Sequence, residues 1–363
     1  MKSKNKVSHI CIVRPNISIF DHADALASQA AKLGISCCFI DFESMFSRTM
    51  IYGRIFKWHT IVRRSSYLFL STPYPEHYPK WLIQGNYKLA YAGYGLTLSN
   101  WVDGHFSSGM IRKCAILLAG SESEYLGYSG VCEDSQATIL TGNPLMWEIR
   151  NSTSKNQVTK KQVEQILWAP HWTATWFESS VGFSRWRESI GPILSFAETN
   201  PKVRILVRPH PILLEAISAS QKVENSYYKR EILASLRAGD SSYLDLFQKL
   251  LTLRNVKLSC DPLPSDILNS DALLTEGVSI IGYWASTGKP MAVYRDENSP
   301  DFGANGRLLL EQVTKVANPS EILDWLKVIT GVEGYELNEK LVEVAQRVFP
   351  TFDHNPIQIA LDQ

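Results

Sequence analysis

The chain of 363 residues carries 37 basic against 36 acidic side chains, a formal net charge of +1. That balance excludes a strongly basic nucleic-acid binder, and the length exceeds what one core usually serves, so two domains and no nucleic-acid partner are expected. Apolar residues at 45% and aromatic residues at 11% support well-packed cores, and no run nears the ~20 apolar residues of a membrane span.

The basic start MKSKNKVSHICIVRPN has an apolar run too short for a signal peptide. Cys11, Cys37, Cys38, Cys114, Cys132 and Cys260 show no CxxC or paired spacing. They read as reduced, mostly buried thiols of a cytoplasmic protein. A strand over His9–Val13, a helix over Asp21–Leu33 closed by Gly34, and a strand over Ser36–Ile40 form the β-α-β opening of a doubly wound α/β domain. The intervening turn lacks GxGxxG, so no dinucleotide fingerprint is present. From Arg48 to Arg64 basic residues alternate with Met50, Ile51, Tyr52, Phe56 and Trp58. This reads first as a helix packed on one face; the alternative is a segment lying on an anionic membrane surface, which would make the protein peripheral.

Strands follow at Tyr67–Leu70, Lys88–Tyr91, Ala115–Leu118 and Ala137–Leu140. The first runs into Pro73-Tyr74-Pro75-Glu76-His77-Tyr78-Pro79, a rigid loop of the kind where α/β sites gather. The second ends in Gly93-Tyr94-Gly95, whose glycines suit a close backbone approach, with Asp103 and His105 downstream. Ser121 caps the next helix with Glu124 at its third position, and Thr141-Gly142-Asn143-Pro144 closes the fourth strand. Each of these turns is also compatible with plain turn chemistry. The polar stretch Asn151–Gln162 is the linker. It divides the chain into domains 1–150 and 163–363, with the final helices free to cross back to the first.

The second half repeats the pattern. Strands are predicted at Gln165–Ala169, Val203–Val207, Val256–Leu258, Ala272–Leu274 and Met291–Tyr294. Helices are predicted over Phe183–Phe196 (Ser184 as cap), Tyr243–Leu253, Ile280–Thr287 (stopped by Gly288), Pro319–Val328 and Leu337–Val348. Three of the strands end in polar clusters: His171-Trp172-Thr173, Arg208-Pro209-His210 and Glu276-Gly277-Val278-Ser279. Ligands of open parallel sheets bind beyond the carboxyl ends of the strands, so these residues can share one crevice. An arginine, two histidines, hydroxyls, a helix N-terminus and Lys289 near the same edge suit a phosphate-bearing ligand. No Asp-x-Asp or His-x-His pair occurs, so neither a metal nor a cofactor is implied.

WAPHWT, RPHP and SDALLTEGVSIIGYWASTGKPMAVY together resemble the C-terminal half of the CDP-glycerol:poly(glycerophosphate) glycerophosphotransferase family, the teichoic-acid polymerases and primases. The likeness is specific over 165–310 and loose before that. It implies a GT-B fold: two Rossmann-like doubly wound domains facing a central cleft, the second binding the donor. By that resemblance His171, Arg208, His210 and Ser279 would hold the pyrophosphate and ribose side of a cytidine-linked donor. Trp172, Thr173, Glu276 and Gly277, placed by the strand ends themselves, would line the same pocket, and Tyr94 and Asn143 would sit on the acceptor side. The implied activity is transfer to a glycan or lipid-linked glycan in cell-surface polysaccharide assembly, without a metal. A nucleotide-sugar glycosyltransferase is the alternative, and an inactive binding member the third. The family carries a His-Gly pair where this chain has Gly93-Tyr94-Gly95. His77 is therefore the first choice of base for the acceptor hydroxyl, ahead of Glu76, Asp103 and His105. Its alternative is a ring stacked with Tyr74 and Tyr78.

Overall fold

The computed structural model describes residues 9–14, 21–41, 65–75, 78, 80–93, 95–99, 106, 108–132, 136–153, 162–172, 182–210, 213–214, 242–331 and 334–362. The basic segment Arg48–Arg64 and the site candidates Glu76, His77, Tyr94, Asp103, His105 and Thr173 lie outside the described residues, as does most of the expected linker. Two compact units are present. One comprises Met1–Leu96, Val102–Glu148 and Gln346–Gln363, the other Thr97–Trp101 and Ile149–Ala345.

In the first unit six strands form one parallel sheet: β1 (His9–Arg14), β2 (Ser36–Asp41), β3 (Tyr67–Leu70), β4 (Leu89–Ala92), β5 (Cys114–Ala119) and β6 (Ala137–Leu140). Their spatial order is β2-β1-β3-β4-β5-β6. A sheet covered on both faces needs apolar residues at successive positions, and β4 (LAYA) is buried at all four. Helices α1 (Asp21–Lys32), α2 (Lys80–Gln84) and α3 (Glu122–Ser129) connect the strands. Helix α3 begins as predicted: the Ser121 hydroxyl accepts from the Glu124 N–H, while Glu124 Oε2 accepts from the Gly120 N–H at 2.7 Å.

The stretch after β6 differs from expectation. Asn143 Oδ1 accepts from the N–H groups of Leu145 and Met146 and so caps α4 (Pro144–Thr153), a helix the sequence reading left as turn and linker. Its polar last turn (Asn151, Ser152, Thr153) hid it, because helical periodicity fades there.

The second unit holds another parallel six-stranded sheet: β7 (Gln165–Ala169), β8 (Arg204–Val207), β9 (Val256–Leu258), β10 (Ala272–Thr275), β11 (Met291–Tyr294) and β12 (Thr314–Val316). The order is β12-β11-β10-β7-β8-β9. Chain direction across the sheet reverses between β7 and β10, the doubly wound arrangement in which a crevice opens at the strand carboxyl ends. Helices α5 (Trp186–Thr199), α6 (Ser242–Thr252), α7 (Leu263–Asn269), α8 (Ser279–Ala285), α9 (Ala304–Leu310) and α10 (Pro319–Gly331) flank it. Helices α11 (Glu339–Val348) and α12 (Pro356–Asp362) end the chain. One face packs Trp168, Ile190, Ile193, Phe196, Val207, Phe247, Leu274 and Ile322 into a single core.

A helix boundary moved. Helix α5 starts at Trp186, not Phe183, and its N-cap is Arg185 without a side-chain cap bond, because the Ser184 hydroxyl donates to the His171 carbonyl instead. Gly288 does stop the turn after α8, at φ 68°, and a Cβ there would lie 2.9 Å from Val342 Cγ2. Strand β12 (TKV) was not predicted; three residues with one buried position give no period to read. Among the described residues no helix is long and apolar enough to cross a membrane.

Candidate functional site

The reversal between β7 and β10 is bolted by a short hydrogen-bond chain. The Thr275 hydroxyl donates to the Ala169 carbonyl at 2.6 Å and accepts from the Gly277 N–H at 2.8 Å. A Cβ on Gly277 would meet Thr275 Oγ1 at 3.1 Å, so the turn is tight at that point. Next door the strand pairing is prolonged past β7 and β8: Arg208 N–H donates to Trp168 O at 2.8 Å and His210 N–H to Pro170 O at 2.9 Å. These bonds draw the three predicted strand ends together.

The His171 and His210 rings are 5.2 Å apart, with Trp172 5.9 Å from His210 and 6.1 Å from His171. Phe183 stands edge-on to His171 at 6.2 Å. Burial holds His171 neutral, its pKa down at about 3. Burial also pushes His210 well below its ordinary value, with His171 and Arg208 acting in the same direction. Two imidazoles that stay neutral at physiological pH offer one N–H donor and one acceptor each, not a positive field.

Glu276, only 2% exposed, lies in the same cluster. Its Oε1 accepts from the His171 and Arg185 N–H groups, each at 3.3 Å, while Oε2 has no hydrogen-bond partner among the described residues. Burial lifts its pKa to about 8 against the opposing pull of those N–H groups. An unsatisfied buried carboxyl oxygen is costly and calls for a partner that the described residues do not supply.

Arg185 forms the floor beside it. Its guanidinium makes a two-pronged pair with Asp296, Nε to Oδ2 at 2.7 Å and Nη2 to Oδ1 at 3.0 Å, and Nη1 donates to the Gly182 and Ser184 carbonyls. Asp296 is held below its ordinary value despite its partial burial, through hydrogen bonds from Arg185 and Ser299. Arg295, the next residue back, has its guanidinium 4.9 Å from the Phe302 ring and a buried Nη1 with no hydrogen-bond partner among the described residues.

Of the sequence candidates, His171, Trp172, His210, Glu276 and Gly277 come together here. Ser279 opens α8 two residues further on. Arg208 belongs to the same strand end, but its Nη1 is occupied by Asp266 Oδ2 and the Asp261 carbonyl, both at 2.6 Å. Lys289 is not brought in. It precedes the amino end of β11, the opposite edge of a parallel sheet, and its Nζ donates to the carbonyls of Ile267, Leu268 and Ser270. The expectation that Lys289 adds charge at the crevice is thereby corrected: the carbonyls left open at the end of α7 hold the ammonium. Asn143 belongs to the first unit, where Nδ2 donates to the Gly93 carbonyl at 3.3 Å beside the buried Glu124.

Sequence reasoning missed Arg185 and Asp296. Asp296 follows the strand Met291–Tyr294 by two residues, the same strand-end signal that singled out Glu276. Nothing local marks Arg185, since a charged residue ahead of a helix is ordinarily solvated.

No known family profile matches this chain, and no curated protein matches it. Solved structures do resemble it. The wall teichoic acid polymerase TagF superposes with a TM-score of 0.61 at 12% identity over 98% of this chain and 87% of that one. UDP-GlcNAc 2-epimerase from Neisseria meningitidis, bound to UDP-GlcNAc, gives 0.52 at 11% identity over 98% and 100%. MnaA of S. aureus, in a co-structure with UDP, gives 0.51 at 11% identity over 97% and 94%. Likeness at this identity establishes the fold: a GT-B-like α/β protein of two Rossmann-type units.

Proposed function

We propose that this chain is a transferase of cell-surface polysaccharide assembly that takes a cytidine-linked donor such as CDP-glycerol at the carboxyl edge of the second sheet. The observation that carries the reading is the convergence of His171, Trp172, His210 and Glu276 on the β7/β10 reversal, with one carboxyl oxygen of Glu276 lacking a partner among the described residues. Aromatic rings suit the flat face of a base, neutral imidazole N–H groups suit phosphate oxygens, and a buried carboxyl suits a sugar or glycerol hydroxyl.

An acceptor hydroxyl, on a glycan or lipid-linked glycan, attacks the phosphorus bearing glycerol; the bond to CMP breaks, CMP departs, and the hydroxyl proton passes to a base. His77 remains our choice for that base, and a lipid-linked acceptor would bring the protein to the membrane surface as a peripheral enzyme. In this reading stabilisation of the leaving phosphate rests on preorganised hydrogen-bond donors.

The second reading is a glycosyltransferase using a UDP-linked sugar. It draws support from the absence of a histidine in Gly93-Tyr94-Gly95 and from the likeness to folds that hold UDP. A thermal-shift screen of CMP, CDP, UDP and GDP decides between them. At one hundred times its Kd a ligand confined to the folded state adds about 2.7 kcal/mol. CMP and CDP are expected to raise Tm most; a clear preference for UDP or GDP selects the second reading. Binding without turnover of a radiolabelled donor would identify an inactive member.

A further inference from the structure

The first sheet carries a cluster that the transferase reading does not use. On the β1–β2 pair His9, Cys11 and Val13 face the same side as Ser36, Cys38 and Ile40, and Cys11 and Cys38 are direct cross-strand partners. Cys38 Sγ lies 3.5 Å from His9 Nε2, and His9 Nδ1 is hydrogen-bonded to the Ser36 hydroxyl at 2.5 Å. Strand β2 is the outermost strand of the sheet among the described residues. Cys38 is half-buried there, while Cys11 is buried with 0% exposure.

We infer that Cys38 is a reactive thiol that attacks low-molecular-weight disulfides, with Cys11 as the resolving thiol that closes a Cys11–Cys38 cross-link. Three features of the geometry support this. An imidazole beside a thiol favours its thiolate, the form that attacks disulfides. The second sulfur is already positioned: neighbouring strands lie ~4.8 Å apart, within the ~4.4–6.8 Å Cα separation that a disulfide spans. And one partner is reachable while the other is sheltered, so the small disulfide meets Cys38 first. The groups acting on Cys38 agree. The Cys11 S–H hydrogen bond and the neighbouring His9 hold it below the ordinary thiol value against burial. Cys11 is pushed far up, first by its bond to Cys38 and then by burial, and so serves as the donor. Cys37, the remaining titratable neighbour, is raised to about 11 by burial and by Cys38. It packs on the opposite face, among Ile10 and Ile12, while Cys38 packs on the Cys11 side.

The step balances. Cys38 thiolate attacks one sulfur of RSSR, forming Cys38–S–SR and releasing RS⁻. Cys11 then gives up its proton, which leaves with the departing thiolate as RSH, and its sulfur attacks Cys38 to form the cross-link. Two protein thiols are oxidised, and one small disulfide is reduced to two thiols.

The test uses hydroxyethyl disulfide on the full chain, read by intact mass and peptide mapping. The expected product is a chain lighter by two hydrogens, with Cys11 and Cys38 in one cross-linked peptide pair. Cys11→Ser should stop at a stable adduct on Cys38, and Cys38→Ser should lose both cross-link and adduct at this strand pair. A lasting Cys38 adduct in the unaltered chain, or a cross-link mapped to Cys37 and Cys38, overturns the resolving role of Cys11. Because either serine variant can disturb folding, a second measurement uses the unaltered chain: iodoacetamide labelling at pH 6.5, with the exposed Cys260 as internal reference. Cys38 should label severalfold faster than Cys260, and His9→Asn should abolish the difference. Equal or slower labelling of Cys38 overturns its assignment as the attacking thiol.

Discussion

Glu276 sits where its charged form is disfavoured, and that has a consequence for stability. Unfolded, it loses its proton near its ordinary value of 4.5; folded, it keeps the proton up to about 8. Over that window the folded state holds the extra proton, so stability falls as pH rises, and the loss is complete above pH 8. His171 acts in the other direction. Its folded pKa of about 3 lies below the ordinary 6.5. The unfolded chain therefore takes the extra proton between those values, and stability climbs as pH rises to 6.5. Of these two groups only the carboxyl still contributes above pH 6.5. Urea melts at pH 6.5 and 8.5 should show the native protein losing about 2 kcal/mol more than Glu276→Gln, following ~1.36 kcal/mol per pH unit for one proton. Equal losses in the two proteins would mean that Glu276 is already ionised when folded. His171, Trp172, His210 and Glu276 were readable in the sequence, because each follows an apolar strand by only a few positions, whereas Arg185 does not. Their charge states were not. Two histidines and an arginine in RPHP and APHW read as a positive field, whereas burial neutralises the imidazoles and Asp266 occupies one arm of Arg208.

Elements were legible to the extent that they are periodic and apolar. Eleven of the strands were expected close to where they lie, since each is a short, largely apolar run closed by a polar turn. The failures were short or polar: β12 and the last turn of α4. Lys289 shows a different limit. GKP between α8 and β11 reads as a charge near a helix, but only the fold reveals that the helix it serves is α7, some twenty residues earlier. Its ammonium donates to Ile267 O at 2.9 Å, Leu268 O at 3.0 Å and Ser270 O at 2.7 Å, and it lies 5.5 Å from the Trp284 ring. Replacing Lys289 by Met keeps most of the stem and leaves those carbonyls to water. Hydrogen bonds to charged groups contribute ~1.5–3 kcal/mol, and solvent recovers part of this at a half-buried site. Lys289→Met should therefore destabilise the fold by about 1–3 kcal/mol while nucleotide binding is unchanged. A variant of native stability that no longer responds to nucleotide would return Lys289 to the binding site.

At the scale of the molecule two parallel sheets each reverse chain direction once, between β1 and β3 in the first and between β7 and β10 in the second. By topology alone either reversal could hold a ligand. Their contents differ. At the first, buried His22 donates from Nε2 to the Ser71 carbonyl, 3.1 Å away, and the Ser71 hydroxyl donates to Val13 O at 2.6 Å. Among the described residues these polar groups satisfy one another. At the second, Glu276 keeps an oxygen without a partner among the described residues, beside two neutral imidazoles and an indole. A site that must still satisfy a buried polar atom gains more from a ligand than one already satisfied. Hydrogen exchange should therefore report nucleotide binding at the second reversal. With saturating CDP, peptides covering Ala169–Trp172, Val207–His210 and Thr275–Ser279 should slow, because opening of these strand ends must then expel the ligand. Peptides over Val13–Arg14 and Leu70–Thr72 should exchange as before. His210→Ala should remove the protection at all three second-unit segments together, since they share one ligand. Protection confined to Val13–Arg14 and Leu70–Thr72 would place the nucleotide in the first unit and leave Glu276 without its proposed partner.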